Sequence, residues 1–454
     1  MDGKGGDAQF SSEAELIRLR IFMDFNSRFK SVNVVANIRS ISGDGFLEEG
    51  AVVQGNLSSR FSVGAYSLVD SGSFVKNTFV GRFTTIEKNC HIGYPVVRDK
   101  NFSNHFFARN LPIQGADEYY KSIKTSRYYF EQNKYTFVGS DVLICKGAVI
   151  REGVVVGDGA IIHPNSYVVN DIPPYAIVSG SPAVVVGYRF DPETVRALCQ
   201  SKWWKFDISS LLGGYKNNAI DYYDNEGFIR LVVAGGFEPL HKKMFYLNTD
   251  RNVFEENSAT NMIVGPSHIE RWYIFSQKGQ VNKPEGYHLF PIPALSLFSD
   301  QLKKLVGWWS EWFDNVLLFV PDFRIGNVAV DLVEKEGRLV KPEAVSDDNS
   351  KKCYRLGLES LDFFSESKNI RFWFWCLNGR EEFNKANGQY LDESGDYKHP
   401  IWNYSELLTM YDGSVVDIKE HFDSVLDLIV DGSIHPTNEC YEKMCKVFEG
   451  LEWS

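Results

Sequence analysis

An aliphatic side chain recurs at every sixth residue, without a slip, at Val138, Ile144, Ile150, Val156, Ile162 and Val168. Four residues after each of the first five comes a small or slender residue: Val142, Ala148, Val154, Ala160 and Ser166. An α-helix repeats about every 3.6 residues and a strand alternates about every 2, so neither keeps one aliphatic side chain at this spacing. A coil with three short flat sides does, because each aliphatic side chain then points inward at the same place on each side. The hexads therefore predict a parallel β-helix with strands stacked roughly 4.8 Å apart.

The same phasing occurs earlier in the chain, with one slip. It runs through Ala51, Leu57, Val63, Val69 and Val75, and it resumes one residue early at Val80, Ile86 and Ile92. We therefore predict an N-terminal extension over residues 1–45 and a β-helix domain over 46–212. Residues 94–136 break the hexads, and a loop of this length inside a compact domain is usually functional. We expect this loop to lie against the outside of the coil.

The β-helix is predicted to close at a proline-rich segment that begins at Asp171. Pro173 and Pro174 are expected to end the hydrogen bonding between strands. Asp191 and Pro192 then predict the N-cap and first position of a helix that reaches Leu212.

The remainder of the chain changes in pattern. Residues 213–235 are rich in Asn, Asp, Gly and Tyr without hexads, which indicates a linker. Beyond them, apolar strands at 261–264, 314–320 and 370–375 alternate with helical stretches. Short apolar strands that alternate with helices favour a parallel sheet with covered faces. The sequence therefore predicts an α/β domain over residues 236–454.

Composition excludes several classes of function. The chain of 454 residues is 44% hydrophobic with a net charge of −11, which argues against nucleic acid as the main partner. Its seven cysteines include no CxxC pair, which suits a reducing compartment, and we predict no metal site. The polar segment Met1–Phe10 does not resemble a signal peptide, and no apolar run approaches the roughly 18 residues of a membrane span. We therefore expect a soluble cytoplasmic protein.

Residues from about 50 to 210 resemble the xenobiotic acetyltransferase subgroup of left-handed β-helix acyltransferases, which includes chloramphenicol acetyltransferases and many sugar O-acetyltransferases. The resemblance rests on the hexads, the loop after Ile92-Gly93, the segment DIPPYAIVSGSPA from Asp171, and RFDPETVRALCQSKWWKFD from Arg189. The helix that carries Trp203-Trp204 is its most specific part. The resemblance implies a left-handed β-helix, a homotrimer, acetyl-CoA in a groove between subunits, and a histidine in the protruding loop as general base.

Two histidines compete for the role of base, for which a neutral imidazole is suited near pH 7. His105 matches the S-T-H/F-P-F stretch of the protruding loop in the resembling family, and it is our first assignment as the base. The usual position of the family's histidine is occupied here by Tyr94, and His91 on the coil is the alternative base. A loop histidine packed among phenylalanines is the competing interpretation of His105. His163 is expected on the outer surface of the coil, where it borders the groove or contacts solvent.

The resemblance also implies a region for the cofactor. Small residues in the late coils would allow the pantetheine arm to approach closely: Gly157, Ala160, Ser179, Ser181 and Ala183. Lys146 and Arg189 are the candidate partners of the CoA phosphates, with Arg151 as a further cation. Ordinary coil geometry or a solvated charge is the alternative explanation for each of these residues.

The C-terminal domain is similar to the SGNH/GDSL hydrolase family in three segments. Ser267 follows the strand at 261–264, where that family has its nucleophile. Asp431 and His435 lie in a C-terminal block like that family's acid and base, and Asn327 lies where it has its oxyanion-hole asparagine. The resemblance implies a nucleophilic triad in an SGNH-like fold. This chain departs from that family in two places. It has Gly-Pro-Ser where the family has Gly-Asp-Ser, and three residues instead of two separate Asp431 from His435. The alternative is that Ser267 is a turn residue or N-cap and that Asp431 forms a turn.

Together these patterns predict an acetyl-CoA-dependent O-acetyltransferase that acts on a sugar hydroxyl in capsule or O-antigen synthesis. The C-terminal domain would be a second acyl-transfer or esterase unit, or a glycan-binding unit. Two alternatives stay open: an acetyltransferase that inactivates antibiotics, and a non-catalytic binding protein in which the β-helix trimerises the C-terminal domains.

Overall fold

The structure, a computed structural model, describes residues 27–37, 40–95, 134–207, 209–210, 225–292, 297, 299–320, 333–335, 338–340, 347–398, 403–430 and 434–453. The chain divides into two compact units. The N-terminal unit comprises Met1–Val97 with Asn133–Asn257, and the C-terminal unit comprises Arg98–Gln132 with Ser258–Ser454. Each unit is described by itself.

The N-terminal unit is a parallel β-helix of short strands. Its strands are β1 (Val35–Ala36), β2 (Ile41–Glu48), β3 (Val52–Val53), β4 (Asn56–Val63), β5 (Leu68–Val69), β6 (Phe74–Val80), β7 (Thr85–Ile86), β8 (His91–Tyr94), β9 (Thr136–Val138), β10 (Leu143–Ile144), β11 (Val149–Arg151), β12 (Val155–Val156), β13 (Ile161–Ile162), β14 (Tyr167–Val168), β15 (Ala176–Gly180), β16 (Ala183–Tyr188), β17 (Met244–Asn248) and β18 (Val253–Glu256). One sheet has the order β1-β3-β5-β7-β10-β13-β15-β16.

The hexad aliphatic side chains form the interior of this coil, as predicted. Ile144 pairs with Ile86 and Ile162 on neighbouring turns, and Ile150 pairs with Ile92 and Val168 on another side. The five small residues, Val142, Ala148, Val154, Ala160 and Ser166, are also buried, as a tight interior corner requires. Equivalent aliphatic side chains therefore stack on each other in successive turns of the coil. Burial of these side chains is the main stabilising contribution.

The slip in the early hexads corresponds to a β-bulge. Leu57 pairs with Val75 and Val63 with Val80, but the register shifts between Ser58 and Phe61. Strand β4 therefore has one more residue than β6 in this interval, and β4 accommodates it at Ser59, whose φ is +63°. Both flanking aliphatic residues on each strand therefore still point inward.

Both predicted boundaries of the β-helix domain need correction. The coil begins before residue 46, because β1 already pairs in parallel with β3 and β2 with β4. The N-terminal unit also extends past the predicted linker at 213–235, because β17 adds antiparallel to β2 and β18 adds antiparallel to β17. Residues up to Asn257 therefore belong to the N-terminal unit, and the predicted start of the second domain at 236 is too early.

The closing segment also differs from the prediction. After Pro173 and Pro174, β15 still pairs in parallel with β13, and β16 turns back antiparallel on β15. The antiparallel return, rather than the prolines, ends the parallel stack. Helix α1 (Pro192–Ser201) follows with Asp191 as its N-cap, as predicted, but it ends at Lys202 in a left-handed conformation. A single 3₁₀ turn, Trp203–Lys205, and helix α2 (Asn225–Ala234) come next.

The C-terminal unit contains a four-stranded parallel sheet in the order β20-β19-β21-β24. These strands are β19 (Asn261–Gly265), β20 (Tyr287–Pro291), β21 (Asn315–Phe319) and β24 (Ile370–Trp373), and a separate hairpin joins β22 (Val333–Lys335) and β23 (Arg338–Val340). The helices are α3 (Ser267–Gln277), α4 (Asp300–Trp312), α5 (Asp347–Ser365), α6 (Trp375–Ala386), α7 (Tyr404–Met410) and α8 (Asn438–Glu449), with 3₁₀ turns at Ile418–Glu420 and Leu426–Leu428. The predicted parallel α/β architecture is present, and β20 is an additional strand.

None of the helices in the described ranges has both the length and the apolar character that a bilayer crossing requires.

Candidate functional site

The structure describes two of the five predicted catalytic residues. Ser267 and His435 both lie in the described part of the C-terminal unit. His105, Asp431 and Asn327 lie outside the described residues.

Ser267 lies at a tight strand-to-helix turn. Strand β19, an inner strand of the parallel sheet, ends at Gly265, and helix α3 begins at Ser267 with Pro266 as its N-cap. A side chain at position 265 would meet Ile269 Cγ1 at 2.5 Å and Phe319 Cβ at 2.7 Å, so the turn requires glycine. Because Pro266 occupies the N-cap position, the alternative interpretation of Ser267 as the N-cap is wrong. The serine instead lies half-buried at the carboxyl end of a parallel strand, where open α/β sheets bind ligands.

The structure brings Ser267 and His435 together across 168 residues of sequence. Ser267 Oγ lies 3.3 Å from His435 Nε2. This distance is at the long end of the range for a nucleophile and its base, which often tightens when substrate binds. In the tautomer with Nε2 unprotonated, the imidazole accepts the hydroxyl proton. Ser267 also lies in the first turn of α3, at the positive end of the helix dipole, which favours negative charge that develops nearby.

Main-chain hydrogen bonds on both sides hold the segment that carries His435. The Val430 N–H donates to the His435 carbonyl at 2.8 Å, and the Thr437 N–H donates to the Leu428 carbonyl at 2.8 Å. Thr437 then caps helix α8 by accepting the Cys440 N–H at 3.2 Å. The imidazole is therefore carried by a short hairpin-like segment that is anchored to a helix.

A second histidine lies against the imidazole of His435, and the sequence did not indicate it. His268 stacks on His435 with ring centroids 4.6 Å apart and an interplanar angle of 24°, and it also stacks on Phe319. The Sγ atom of Cys376 lies 3.7 Å from each ring nitrogen of His268. Tyr441 donates its hydroxyl proton to the His268 carbonyl at 2.8 Å. The only sequence signal for His268 is its position directly after Ser267.

On the β-helix, His91 is part of a cluster of aromatic side chains on the outer surface. It stacks on Phe74 at 5.2 Å and meets the edge of Tyr94 at 6.3 Å. Phe74 is 52% exposed and Tyr94 is 44% exposed. His91 is therefore an outward coil residue rather than a core residue, and it lies directly before the segment that contains His105. His163 is half-buried at a turn further along the coil.

The predicted pantetheine residues fall into two groups. Gly157 packs under the proline turn, since a Cβ there would lie 2.5 Å from Pro174 N, and Ala160 is completely buried in the coil interior. Ala160 therefore offers no surface to a cofactor, and its assignment needs correction, whereas Gly157 is half-buried and its role stays a prediction. Ser179, Ser181 and Ala183 lie at the β15–β16 turn, where they are partly or fully exposed. Their role in binding pantetheine stays a prediction.

The two predicted phosphate partners also differ. Arg189 donates from Nη1 to Asp141 Oδ2 and to the Gly159 carbonyl, both at 2.8 Å, and its guanidinium lies over the Tyr175 ring. Burial raises the pKa of Asp141, and the nearby guanidinium acts in the opposite direction. Arg189 therefore stabilises the last coils, and its role as a partner of a CoA phosphate stays a prediction. Lys146 is exposed at a turn and stays a candidate.

Comparison with known proteins relates the coil to one class of repeat. Residues 135–170 match the family model described as bacterial transferase hexapeptide (six repeats). The N-terminal unit is thus a left-handed β-helix of the hexapeptide type. A chloramphenicol acetyltransferase from Agrobacterium fabrum is 45% identical over 76 residues, which cover 17% of this chain and 36% of that protein. A probable macrolide acetyltransferase from Lysinibacillus sphaericus is 44% identical over 71 residues, 16% of this chain and 39% of that protein. The chain thus spans less than two fifths of the length of these relatives.

Two solved structures of acetyltransferases have some similarity to this chain. A hexapeptide-repeat acetyltransferase from Vibrio cholerae complexed with acetyl coenzyme A has 18% identity and a TM-score of 0.26, over 42% of this chain and 93% of that chain. The polySia-specific acetyltransferase NeuO has 19% identity and a TM-score of 0.22, over 32% of this chain and 64% of that chain.

Proposed function

We propose that the chain is an acetyl-CoA-dependent O-acetyltransferase whose β-helix binds the acyl donor. The observation that carries this proposal is a run of hexapeptide coils that is 44–45% identical to a chloramphenicol and a macrolide acetyltransferase. In the reaction, the acceptor hydroxyl oxygen attacks the thioester carbonyl and the carbon–sulfur bond breaks. A general base takes the hydroxyl proton, and the thiolate of CoA receives a proton as it leaves.

We propose His105 as the base, with His91 as the alternative. A positioned general base contributes about 10²–10⁴-fold to the rate. The test measures CoA thiol release by the full chain and by three variants, His105→Ala, His91→Ala and His241→Ala. His241 is exposed and has no assigned role, so it is the matched control. We expect a loss of about 10²-fold or more for His105→Ala and little change for His241→Ala. A comparable loss confined to His91→Ala would transfer the role to His91.

The proposed acceptor is a sugar hydroxyl of a surface polysaccharide, and the proposed location is the cytoplasm. An antibiotic acceptor is the competing proposal, since chloramphenicol and macrolide acetyltransferases are among the relatives. An acceptor panel of capsule-type oligosaccharides, chloramphenicol and a macrolide discriminates between the two. Turnover of the oligosaccharides alone supports the sugar acceptor, whereas turnover of either antibiotic at a higher kcat/KM overturns it.

We further propose a homotrimer with acetyl-CoA bound between subunits. Strand β16 carries four apolar side chains that are each more than two fifths exposed: Val184, Val185, Val186 and Tyr188. Contiguous exposed apolar residues commonly mark protein interfaces. Light scattering of the purified chain tests this proposal, and a monomer at micromolar concentration would contradict it.

A second activity is favoured by a separate observation, the contact between Ser267 and His435 at 3.3 Å. We propose that this pair forms or hydrolyses an acyl-serine ester in the C-terminal unit. The Ser267 oxygen would attack an acyl carbonyl, His435 would take its proton, and the leaving group would depart with that proton. Hydrolysis of p-nitrophenyl acetate by the full chain, with Ser267→Ala as the negative control, tests it. Equal rates for both chains would remove the esterase or acyl-transfer proposal and leave a glycan-binding role.

A further inference from the structure

The residue before His435 has a strained backbone. Ile434 has a φ of +66°, and it is the sole β-branched residue among the non-glycine residues with positive φ in the described ranges. Such a conformation is a genuine outlier for a β-branched residue and is energetically unfavourable. The surrounding structure must therefore hold Ile434 in place.

Two residues of helix α6 lie against Ile434 and favour this conformation. Trp375 donates its indole N–H to the Ile434 carbonyl at 2.9 Å, and both residues are almost completely buried. Gly379 lies one turn later on the same face of the helix. A Cβ at Gly379 would lie 2.3 Å from Ile434 Cγ2, so the absence of a side chain leaves room for Ile434.

The conformation of Ile434 sets the direction of the next side chain. The imidazole of His435 lies between the ring of His268 and the hydroxyl of Ser267. A peptide rotation at Ile434 would move Nε2 away from the serine, and the distance of 3.3 Å leaves no margin for such a movement.

We propose that Trp375 is a positioning residue for the Ser267–His435 pair. Its indole N–H, through the Ile434 carbonyl, keeps the strained peptide in the conformation that directs His435 Nε2 at Ser267 Oγ. This inference rests on the proposed role of the pair as nucleophile and base. Trp375 contacts no reacting atom, and its effect is exerted through the main chain of Ile434.

The chain contains a matched control two residues earlier. Trp373 is as deeply buried as Trp375, but its indole N–H has no hydrogen-bond partner in the structure. Replacement of either tryptophan by phenylalanine removes a similar volume from the same core. Only Trp375→Phe removes a hydrogen bond that is made, so a difference between the two variants isolates that bond.

The experiment measures covalent labelling of the full chain by a fluorophosphonate probe. Ser267 Oγ attacks phosphorus, the phosphorus–fluorine bond breaks, fluoride leaves, and His435 takes the hydroxyl proton. Intact-mass spectrometry gives the labelling rate, and Ser267→Ala shows that the label is on that serine. We expect Trp375→Phe to slow labelling at least tenfold and Trp373→Phe to change it less than twofold. We also expect the pH dependence of the wild-type labelling rate to be flattened in Trp375→Phe.

Gly379→Ala provides a second variant, because its new methyl group displaces Ile434 while the indole N–H is retained. It should also slow labelling at least tenfold, and urea unfolding of each variant shows that the fold persists. Labelling of Trp375→Phe and Gly379→Ala at the wild-type rate would overturn the proposal. If Trp375→Phe does not fold, the result with Gly379→Ala decides. A wild-type chain that is not labelled at Ser267 would instead refute the proposed activity of the pair.

Discussion

Truncation of one interior hexad side chain gives a quantitative test of the β-helix. Ile150 is completely buried, and it pairs in register with Ile92 on one neighbouring turn and with Val168 on the other. Ile150→Ala removes three carbon atoms, worth about 2.4 kcal/mol in transfer free energy at about 0.8 kcal/mol per methylene group. The stacked turns above and below cannot collapse into the gap, so a cavity penalty adds to this loss. We expect a total destabilisation of about 3–4 kcal/mol.

The preceding residue provides the control. Val149 lies on the same strand but faces outward between His91 and Tyr167, where it is half-buried. Val149→Ala should therefore cost less than about 1 kcal/mol. Hydrogen exchange with mass spectrometry on the full chain reports the local stability of the coils, even though a two-unit chain does not unfold in one step. Exchange of the 142–168 amides should accelerate by about 140- to 700-fold in Ile150→Ala and less than tenfold in Val149→Ala. Equal acceleration in both variants would refute the inward orientation of the hexads.

Three further predictions test single sites. Gly157→Ala places a Cβ 2.5 Å from Pro174 N, so we expect a loss of about 1–3 kcal/mol, seen as faster exchange around this turn; unchanged exchange would contradict the close approach. Lys398 and main-chain N–H groups lower the pKa of Asp392 to about 2, below the ordinary 3.8, so the stabilisation of this turn is present above pH 3.8 and lost as the pH falls toward 2. Asp392→Asn should remove this pH dependence of amide exchange over residues 391–398, and its persistence would refute the assignment. Burial raises the pKa of Cys445 to about 12, so iodoacetamide at pH 8 should modify this thiol only after unfolding in urea; rapid modification of the native chain would be the contrary result.

The interior of the β-helix was predictable because its information is local. Each inward residue is specified by a spacing of six, and each turn repeats the same constraint on its neighbours. Strand β17 shows the limit of this reasoning, because Met244–Asn248 pairs antiparallel with residues 44–48, some 200 positions earlier. No hexad or turn signal marks such a non-local pairing, so the sequence placed the domain boundary too early.

The candidate site was likewise predictable only where the information is local in sequence. Ser267 and His435 were found because each lies in a short segment with a recognisable pattern, and the structure brings the two side chains together. The residues that hold this pair in place were not predicted from the sequence. The stacking of His268 on His435 and the hydrogen bond from Trp375 to Ile434 depend on a main-chain conformation that no sequence spacing encodes. Arg189 shows the same limit, since its ion pair with Asp141 depends on the fold and could not be predicted from the residue type.

Backbone conformations that a residue type rarely adopts help to locate chemistry in this chain. In the coils, left-handed positions are occupied mostly by glycine and asparagine, such as Asn77, Asn89 and Asn165, which adopt them at low cost. The regular coils are thus consistent with a scaffold, and we place the proposed base where the hexads stop, next to His91 and Tyr94. In the C-terminal unit, the β-branched Ile434 occupies a left-handed position directly beside an imidazole that faces a serine. Strain that is retained and supported by a buried tryptophan is expected where function requires that geometry, which is why the second proposed activity is assigned to Ser267 and His435.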